Sequence, residues 1–265
     1  MDNIQLMKGD CLKLMQDIPD NSIDMILCDL PYEVTSQNSW DTKLPLDKLW
    51  AEYKRIAKDT SPIILFAQGR FTAELIMSNS DMYKYNMVWD KVLPSGFLNA
   101  NKQPMRQHED LVVFYDKQCT YNPQKVKGSF CHKRGRSNGS AGSGTNYGNY
   151  TFVDTYEDEK FPTTILTFSK PKASSAKNTY HPTQKPVDLL EYLILTYTNE
   201  NDVVLDNCMG SGSTGVACVN TNRRFVGMEL DDEYFRISQE RIEQAERFPG
   251  TVYKRRTELS KKKLF

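Results

Sequence analysis

The feature that most restricts the possible folds is a regular alternation of short apolar segments with segments of helical periodicity. Segment 62–67 (PIILFA) is almost purely apolar, as expected for a strand whose two faces are both covered. In segment 46–57, hydrophobic residues recur at the spacing of a helix. This alternation predicts an α/β fold with a mostly parallel sheet. The predicted strands are 4–7, 23–28, 62–67, 85–89, 111–115, 203–206 and 224–229, and the predicted helices are 12–18, 46–57, 71–78, 187–197, 216–219 and 232–247.

Charge and cysteine usage narrow the possible function classes. Lysine plus arginine and aspartate plus glutamate both number 34, so any binding of nucleic acid must come from local charge. The first residues carry no export signal and no apolar run approaches about 18 residues, so we expect a cytoplasmic protein without a membrane segment. The six cysteines form no C-x-x-C pair, and Cys131-His132 has no second pair at ligand spacing. We therefore expect reduced thiols and no metal site.

Two stretches lack acidic residues altogether. Segments 117–153 and 161–187 contain lysine and arginine but no aspartate or glutamate. Within the first, SNGSAGSGTNYGNY (137–150) is rich in glycine, serine and asparagine and cannot build a core. Charge alone leaves two interpretations open: a solvated insertion, or a basic surface with interleaved aromatic residues for a polyanion.

A glycine-rich turn follows the predicted strand 203–206. In DNCMGSGSTG, Asp206 ends the strand and Gly210, Gly212 and Gly215 allow the backbone to approach a ligand at the start of a helix. No G-K-[ST] follows, so the turn is not a P-loop. Glu229 ends the next strand, about twenty residues further along the sequence, which is the spacing at which an acid commonly holds ribose hydroxyls. The pattern indicates a ribose-bearing ligand; a structural strand–helix turn is the alternative.

A second constellation ends the predicted strand 23–28. Asp29 and the backbone carbonyl of Leu30 can both accept hydrogen bonds from an exocyclic amine, and Tyr32, held by Pro31, can stack on the ring that carries it. An aromatic amine is a poor nucleophile because its lone pair is delocalised. Two acceptors on its hydrogens would stabilise the positive charge that develops as it attacks. Stacking would offset part of the free energy needed to extrude a base from a duplex.

Together these motifs give nearly the whole chain a resemblance to the DNA amino-methyltransferases, which methylate adenine N6 or cytosine N4 with S-adenosylmethionine. The family's usual tetrad is Asp-Pro-Pro-Tyr, and Leu30 here replaces the first proline while keeping its carbonyl. The order of the motifs is similar to that of the permuted β group. The resemblance implies a Rossmann-like seven-stranded, mostly parallel methyltransferase sheet, circularly permuted, with a loop-rich target-recognition insertion. The matching motifs are Gly9-Asp10, Asp29–Tyr32, the HPTQKP segment 181–186, Asp206–Gly212 and Glu229.

The resemblance also assigns cofactor contacts. It implies that Asp10 contacts the adenine of S-adenosylmethionine and that Glu229 holds its ribose. Lys185, with Thr183 or Gln184 nearby, would face the methionine carboxylate. The loop implied to hold the methionine part comprises Asp206, Asn207, Cys208, Met209, Gly210, Ser211 and Gly212.

The permuted order implies three regions. Residues 1–94 would form the catalytic half of the methyltransferase domain, 95–175 the target-recognition region with strand 111–115 in the core sheet, and 176–265 the cofactor-binding half. This resolves the interpretation of the acid-free stretches in favour of DNA. The expected DNA contacts are Lys125, Lys127, Lys133, Arg134, Arg136, Lys170 and Lys172.

The function expected from the resemblance is site-specific adenine-N6 methylation of a flipped-out adenine in double-stranded DNA, as in restriction–modification systems. Cytosine-N4 methylation is the alternative, although an aspartate at the first tetrad position favours adenine in this family. A further alternative is a non-catalytic DNA-binding partner subunit of the same fold, for which a degenerate tetrad would be the signal. Many members of the β group are dimeric, so the resemblance also implies a homodimer.

Overall fold

The computed structural model describes residues 3–31, 44–127, 159–171 and 184–248. The helices are α1 (Cys11–Leu14), α2 (Leu46–Ile56), α3 (Arg70–Ser78), α4 (Val187–Tyr197), α5 (Ser213–Asn220) and α6 (Asp232–Arg247). The strands are β1 (Ile4–Lys8), β2 (Met25–Cys28), β3 (Ile63–Ala67), β4 (Tyr83–Ser95), β5 (Arg106–Phe114), β6 (Val126–Lys127), β7 (Glu159–Lys160), β8 (Ile165–Thr167), β9 (Val203–Asp206) and β10 (Arg224–Glu229).

Eight of these strands form one sheet in the order β1-β10-β9-β2-β3-β5-β4-β8. Strands β1, β10, β9, β2 and β3 pair in parallel, whereas β5 is antiparallel to both β3 and β4. The predicted mostly parallel α/β sheet is confirmed. The described sheet has eight strands instead of the seven expected, because β8 pairs in parallel with Val88–Asp90 at the edge of β4. That strand has only three residues, Ile165–Thr167, and a run this short was not predicted as a strand.

The order of the strands matches the circular permutation. The first strand pairs with the last, from Ile4 opposite Phe225 to Lys8 opposite Glu229. In the middle of the sheet, β2 pairs in parallel with β9, with Ile26 opposite Leu205. Asp29 and Asp206 therefore follow or end adjacent strands at the carboxyl edge of the sheet, where such folds bind ligands.

The alternation of side chains along each strand builds a core on both faces of the sheet. In β2, Ile26 and Cys28 belong to one apolar cluster, while Met25 and Leu27 belong to the other. Residues of α1, α2 and α3 complete the first cluster, and residues of α4, α5 and α6 complete the second. The central strands are thus buried on both sides, which is why they are purely apolar in sequence.

The largest difference from the predicted elements is a long hairpin. Strands β4 and β5 extend well beyond the predicted segments 85–89 and 111–115, and they pair from Tyr83 opposite Phe114 to Ser95 opposite Arg106. The added residues are mostly polar, so hydrophobic periodicity does not mark them. The predicted helix 12–18 is also divided into α1 and a short 3-10 turn at Met15–Asp17.

The chain divides into two compact units, 1–122 with 164–265, and 123–163. In the described part of the second unit, β6 pairs antiparallel with β7, and the Lys125 ammonium lies 5.0 Å from the centroid of the Phe161 ring. The glycine-rich stretch 137–150 lies outside the described residues. Among the helices of the described ranges, none is long and apolar enough to cross a membrane.

Gly215 tests the packing of α5 against α6. A Cβ at this helical position would collide with Cδ1 of Ile242 and lie 2.9 Å from both Cγ1 of Ile242 and Cε1 of Phe225. An exposed helical glycine-to-alanine change stabilises by about 1 kcal/mol, but here overpacking should dominate. We expect Gly215→Ala to lower the free energy of unfolding by roughly 1–3 kcal/mol in urea titrations. Adding Ile242→Val should restore part of the loss; an unchanged or higher midpoint in Gly215→Ala would contradict this packing.

Candidate active site

A cavity of about 1050 Å³ opens at the carboxyl edge of the central strands. It is lined by residues that follow β1, β2, β9 and β10, together with residues of the β4–β5 hairpin and of the segment before α4. The structure brings into its wall the following residues singled out from the sequence: Asp10, Asp29, Leu30, Pro31, Lys170, Gln184, Lys185, Asp206, Asn207, Cys208, Met209, Gly210, Ser211 and Glu229. Residues 177 positions apart in sequence thus share one cavity.

Glu229 fixes the glycine-rich loop to the end of β10. Its Oε2 accepts a hydrogen bond from the backbone N–H of Gly210 at 2.8 Å, and its Oε1 accepts one from the N–H of Asp231 at 2.9 Å. Burial raises the pKa of Glu229, and these hydrogen bonds only partly oppose the shift. The carboxylate therefore has a structural role in addition to the ligand contact predicted for it.

Asp206 organises the other side of the loop. Its Oδ2 accepts from Oγ1 of Thr214 at 2.6 Å, and its Oδ1 accepts from the backbone N–H of Cys208 at 3.1 Å. The residue is 4% exposed. Burial raises its pKa to about 6, although the hydrogen bonds from Thr214 and Cys208 favour the charged form.

Gly210 and Gly212 are required in the loop for different structural reasons. Gly210 has φ +51° and no atom within 4 Å of the position its Cβ would occupy, so it leaves the backbone open to the cavity. Gly212 has φ +77°, and its Cβ would lie 2.8 Å from Cβ of Ser238 in α6. Gly212 therefore allows the loop to approach α6 and is absent from the cavity wall. Between them, Ser211 is held through its Oγ by the Arg241 guanidinium at 2.8 Å, a contact that the sequence analysis missed.

Two predicted contact residues also have partners within the protein. Asn207 is 2% exposed, and its Oδ1 accepts from the Tyr53 hydroxyl at 2.6 Å, so its amide is directed to the core. Asp10 accepts from the backbone N–H of Leu12 at 3.0 Å and caps α1. Asp10 still lines the cavity, where it remains available for the predicted contact with a ligand.

The end of β2 presents the amine-acceptor motif to the cavity. The side chain of Leu30 is 2% exposed and packs in the first apolar cluster, which accounts for a leucine at this position. Asp29 and Pro31 line the cavity. Tyr32, the predicted stacking residue, lies outside the described residues.

Lys185 has an arrangement that the sequence did not predict. Its ammonium lies 2.5 Å from Oδ2 of Asp29 and 3.3 Å from Oε2 of Glu109. The sequence predicted only a contact with the methionine carboxylate of the cofactor. Glu109 in turn binds the Lys91 ammonium through Oε1 at 3.2 Å. Glu109 and Lys91 were missed in the sequence; the available signal was the pair of carboxylates Glu109-Asp110 directly before the apolar end of β5.

The predicted DNA contacts have separate locations. Lys170 lines the cavity, whereas Lys125 and Lys127 belong to the unit 123–163. Lys133, Arg134, Arg136 and Lys172 lie outside the described residues, as does Thr183 of the predicted cofactor site. Their roles stay predictions.

Comparison with known proteins identifies the class to which this fold and cavity belong. Residues 23–240 match the DNA methylase family of N6 and N4 methyltransferases, and the chain belongs to this family. It is therefore a DNA methyltransferase, and its cofactor is S-adenosylmethionine.

Individual relatives cover most of the chain. The type II methyltransferase M.BglII of Bacillus subtilis is 27% identical over 260 residues, which cover 88% of this chain and 67% of that protein. The DNA adenine methyltransferase YhdJ of Escherichia coli K12 is 26% identical over 274 residues, covering 97% and 90%.

Solved structures show the same fold. The M1.HpyAVI complex with SAM superposes with a TM-score of 0.63 at 24% identity, covering 90% of this chain and 98% of that one. The cytosine-N4-specific PvuII DNA methyltransferase has a TM-score of 0.62 at 17% identity, covering 91% and 86%.

The residues of the cavity fit S-adenosylmethionine. Carboxylates that can accept hydrogen bonds from ribose hydroxyls and an adenine amine are present at Glu229 and Asp10. The position next to Gly210 is free of protein atoms within 4 Å, as close approach of a ligand to the loop requires.

Asp206 provides a pH-dependent test of the loop. Its pKa is raised in the folded protein, so the folded state binds more protons, and the free energy of unfolding falls as pH rises from about 4 through about 6. The ionised, buried carboxylate thus costs up to about 3 kcal/mol at pH 7.5 relative to acid pH. We expect Asp206→Asn to be more favourable for stability at pH 7.5 than at pH 4.5, measured against wild type by urea unfolding.

The matched control for this comparison is Asp47→Asn, on the exposed side of α2. The change in the stability of Asp206→Asn between the two pH values is measured relative to this variant. If Asp206→Asn behaves identically at both, the carboxylate does not titrate in this range and the assignment of its raised pKa is wrong.

Proposed function

We propose that this DNA methyltransferase is a site-specific adenine-N6 enzyme that acts on an adenine flipped out of double-stranded DNA. The observation that carries the proposal is the placement of Asp29 and Leu30 in the same cavity as Glu229 and the glycine-rich loop. An amine acceptor and a cofactor loop on neighbouring strands put the two reactants within reach of each other.

Each protein group has one task in this proposal. S-adenosylmethionine supplies the methyl group when bound. The Asp29 carboxylate and the Leu30 carbonyl accept the two hydrogens of the adenine amine, which directs its lone pair away from the ring and stabilises the developing positive charge. Tyr32 stacks on the extruded base and offsets part of the free energy of flipping, a few kcal/mol.

The cofactor-binding roles follow the family pattern. Glu229 would hold the ribose, Asp10 the adenine, and the loop from Asp206 to Gly212 the methionine part, with Gln184 nearby. Within the loop, Gly210 provides the open backbone, whereas Asp206 and Gly212 shape the loop from behind.

Cytosine-N4 methylation is the second candidate, because the same two acceptors serve either amine. The aspartate at the first tetrad position and the named activity of the relative YhdJ favour adenine. The cytosine-N4-specific PvuII enzyme has the same fold, so the fold alone does not distinguish the two activities. A non-catalytic partner subunit is less well supported, because Asp29, Pro31 and Tyr32 are all retained.

The tip of the β4–β5 hairpin supports a duplex substrate. Residues 92–106 contain Lys102 and Arg106 but no acid, and Arg106 also lines the cavity. At the end of this tip, Phe97 is 80% exposed and Leu98 97% exposed. Apolar side chains flanked by cations are the combination that proteins insert between base steps when they distort a duplex. We assign this tip to DNA binding together with the predicted region 95–175.

The modified base decides between the candidates. DNA incubated with the protein and S-adenosylmethionine, then digested to nucleosides and analysed by mass spectrometry, should contain N6-methyladenine. We expect Asp29→Ala to abolish product while leaving the dissociation constant for S-adenosylmethionine within about threefold, because an amine acceptor acts on the other substrate. N4-methylcytosine would establish the alternative, and full activity of Asp29→Ala would refute the mechanism.

The hairpin tip has its own test. We expect the double substitution Phe97→Ala with Leu98→Ala to raise the KM for duplex DNA and lower kcat roughly tenfold or more, since base extrusion costs a few kcal/mol. A mismatch opposite the target base should restore much of this loss, because a mismatched base is easier to extrude. Met77→Ala, 77% exposed on α3, is the control for losing an exposed apolar side chain. Equal defects on matched and mismatched DNA would contradict the role in extrusion.

A further inference from the structure

Four charges of alternating sign form a continuous chain in the wall of the cavity. The Lys185 ammonium contacts Asp29 at 2.5 Å and Glu109 at 3.3 Å, and the Lys91 ammonium contacts Glu109 at 3.2 Å. We refer to Asp29–Lys185–Glu109–Lys91 as the buried ion-pair chain. Its members come from four parts of the fold: the end of β2, the segment before α4, strand β5 and strand β4. Because these parts are distant in sequence, no local sequence pattern predicts this arrangement.

Burial makes the balance of these charges important. The side chains are 24%, 9%, 14% and 7% exposed in the order Asp29, Lys185, Glu109, Lys91. A buried ion costs several kcal/mol unless it is paired, and removing one partner leaves the other uncompensated. Burial alone would raise the pKa of Glu109, but the Lys185 and Lys91 ammonium groups outweigh it and hold that pKa below its ordinary value. Glu109 is therefore an anion, and the four formal charges cancel.

Lys185 has two opposing effects on Asp29. By binding Oδ2 it restricts rotation of the carboxylate, and the ring of Phe66, whose centroid lies 5.0 Å from the ammonium, closes one side of this contact. Its positive charge also weakens Asp29 as an acceptor and disfavours positive charge on a nearby amine. The negative charge of Glu109 offsets that second effect without disturbing the first.

We propose that Glu109 is a positioning residue for methyl transfer, which holds Lys185 against Asp29 and balances its charge while Lys91 anchors Glu109. This inference rests on the proposed function, in which Asp29 accepts a hydrogen bond from the target amine. As the amine attacks, it becomes positively charged, and a site with a net positive charge would oppose that change. The neutral chain gives Asp29 a fixed orientation without that opposition.

Glu109→Gln removes the charge and keeps the shape. We expect kcat for methyl transfer to fall roughly tenfold to a hundredfold, the range typical for residues that orient a catalytic group. The dissociation constant for S-adenosylmethionine, measured by titration calorimetry, should change by a smaller factor than kcat, because the proposed effect of Glu109 is on the amine acceptor. Glu109→Asp retains the charge on a shorter side chain and should recover part of the lost kcat.

The direction of pH shifts separates this role from a general loosening of the site. Among the described residues, the charged or titratable groups near Asp29 include Lys185, Glu109, Asp206 and Cys28, with Lys91 behind Glu109. Without the Glu109 charge, the positive charge of Lys185 acts on Asp29 without that offset and disfavours its protonation. The acid limb of the kcat–pH profile should therefore move to lower pH by about one pH unit. Lys185→Gln and Lys91→Gln remove positive charge and should move it to higher pH.

The control is a half-buried, ion-paired glutamate outside the cavity. Glu52 of α2 has a side chain that is 21% exposed, and its Oε2 accepts a hydrogen bond from the Arg55 guanidinium at 2.7 Å. Glu52→Gln tests the effect of removing the negative charge of an ion-paired carboxylate in general, and it should leave both kcat and the acid limb unchanged. Thermal unfolding of every variant by circular dichroism identifies any that fail to fold. If Glu109→Gln is among these, Lys91→Gln still tests the inference through its predicted shift of the acid limb to higher pH.

The outcomes distinguish this inference from the proposed function. If wild type methylates DNA but Glu109→Gln keeps wild-type kcat, or if the Glu109 and Lys91 variants shift the acid limb in the same direction, the inference is overturned. If wild type transfers no methyl group, the proposed function fails. The chain is then tested in cofactor-free protein by the carboxyl ¹³C resonance of Asp29, assigned by its loss in Asp29→Asn. Its titration should move down in pH in Glu109→Gln and up in Lys91→Gln, and an unmoved titration would exclude the chain.

Discussion

The parallel pairing of β2 with β9 is the contact on which the rest of the site depends. It joins two segments about 180 residues apart, with Met25 opposite Val204 and Ile26 opposite Leu205. Because parallel strands end at the same edge, Asp29 and Asp206 emerge side by side. The apolar clusters on both faces fix this register, since a slip by one residue would move Ile26 and Leu205 to the opposite face. The position of the amine acceptor relative to the cofactor loop is thus set by packing in the core.

Electrostatics in the cavity follow from the same arrangement. Asp206 and Glu229 are carboxyl groups with raised pKa values because burial dominates, and each is used to shape the loop. Glu109 is also buried, but two ammonium groups reverse the direction of its shift. Asp29 is the acid whose partner, Lys185, is shared with another carboxylate. Three acids that shape the site therefore line the same cavity as the one proposed to contact the substrate amine.

The sequence predicts the fold well where the signal is local. The bounds of β9, β10, α4 and α6 agree with the predicted segments, since each strand is a short apolar run and α6 begins directly after the capping residue Asp231. The motif residues at the strand ends were correctly predicted to share one site, because the strands that precede them were predicted correctly. The extension of the β4–β5 hairpin was missed because its added residues are mostly polar, and strand β8 was missed because it has only three residues. Partners such as Tyr53 for Asn207, or Glu109 for Lys185, depend on contacts between distant segments and leave no trace in spacing.

The permuted strand order has a consequence for how the chain folds during synthesis. Strand β1 is translated long before β10, its partner in the sheet, because 221 positions separate Ile4 from Phe225. At about 5–20 residues per second, β1 waits on the order of 10–45 seconds before that partner exists. The edge of the sheet is therefore completed only after nearly all of residues 4–229 have been made. Contacts of such long range favour slow folding. The apolar residues of β1, and the face of β2 that carries Met25 and Leu27, therefore remain exposed to other binding partners, chaperones included, until the residues of α4, α5 and α6 are made.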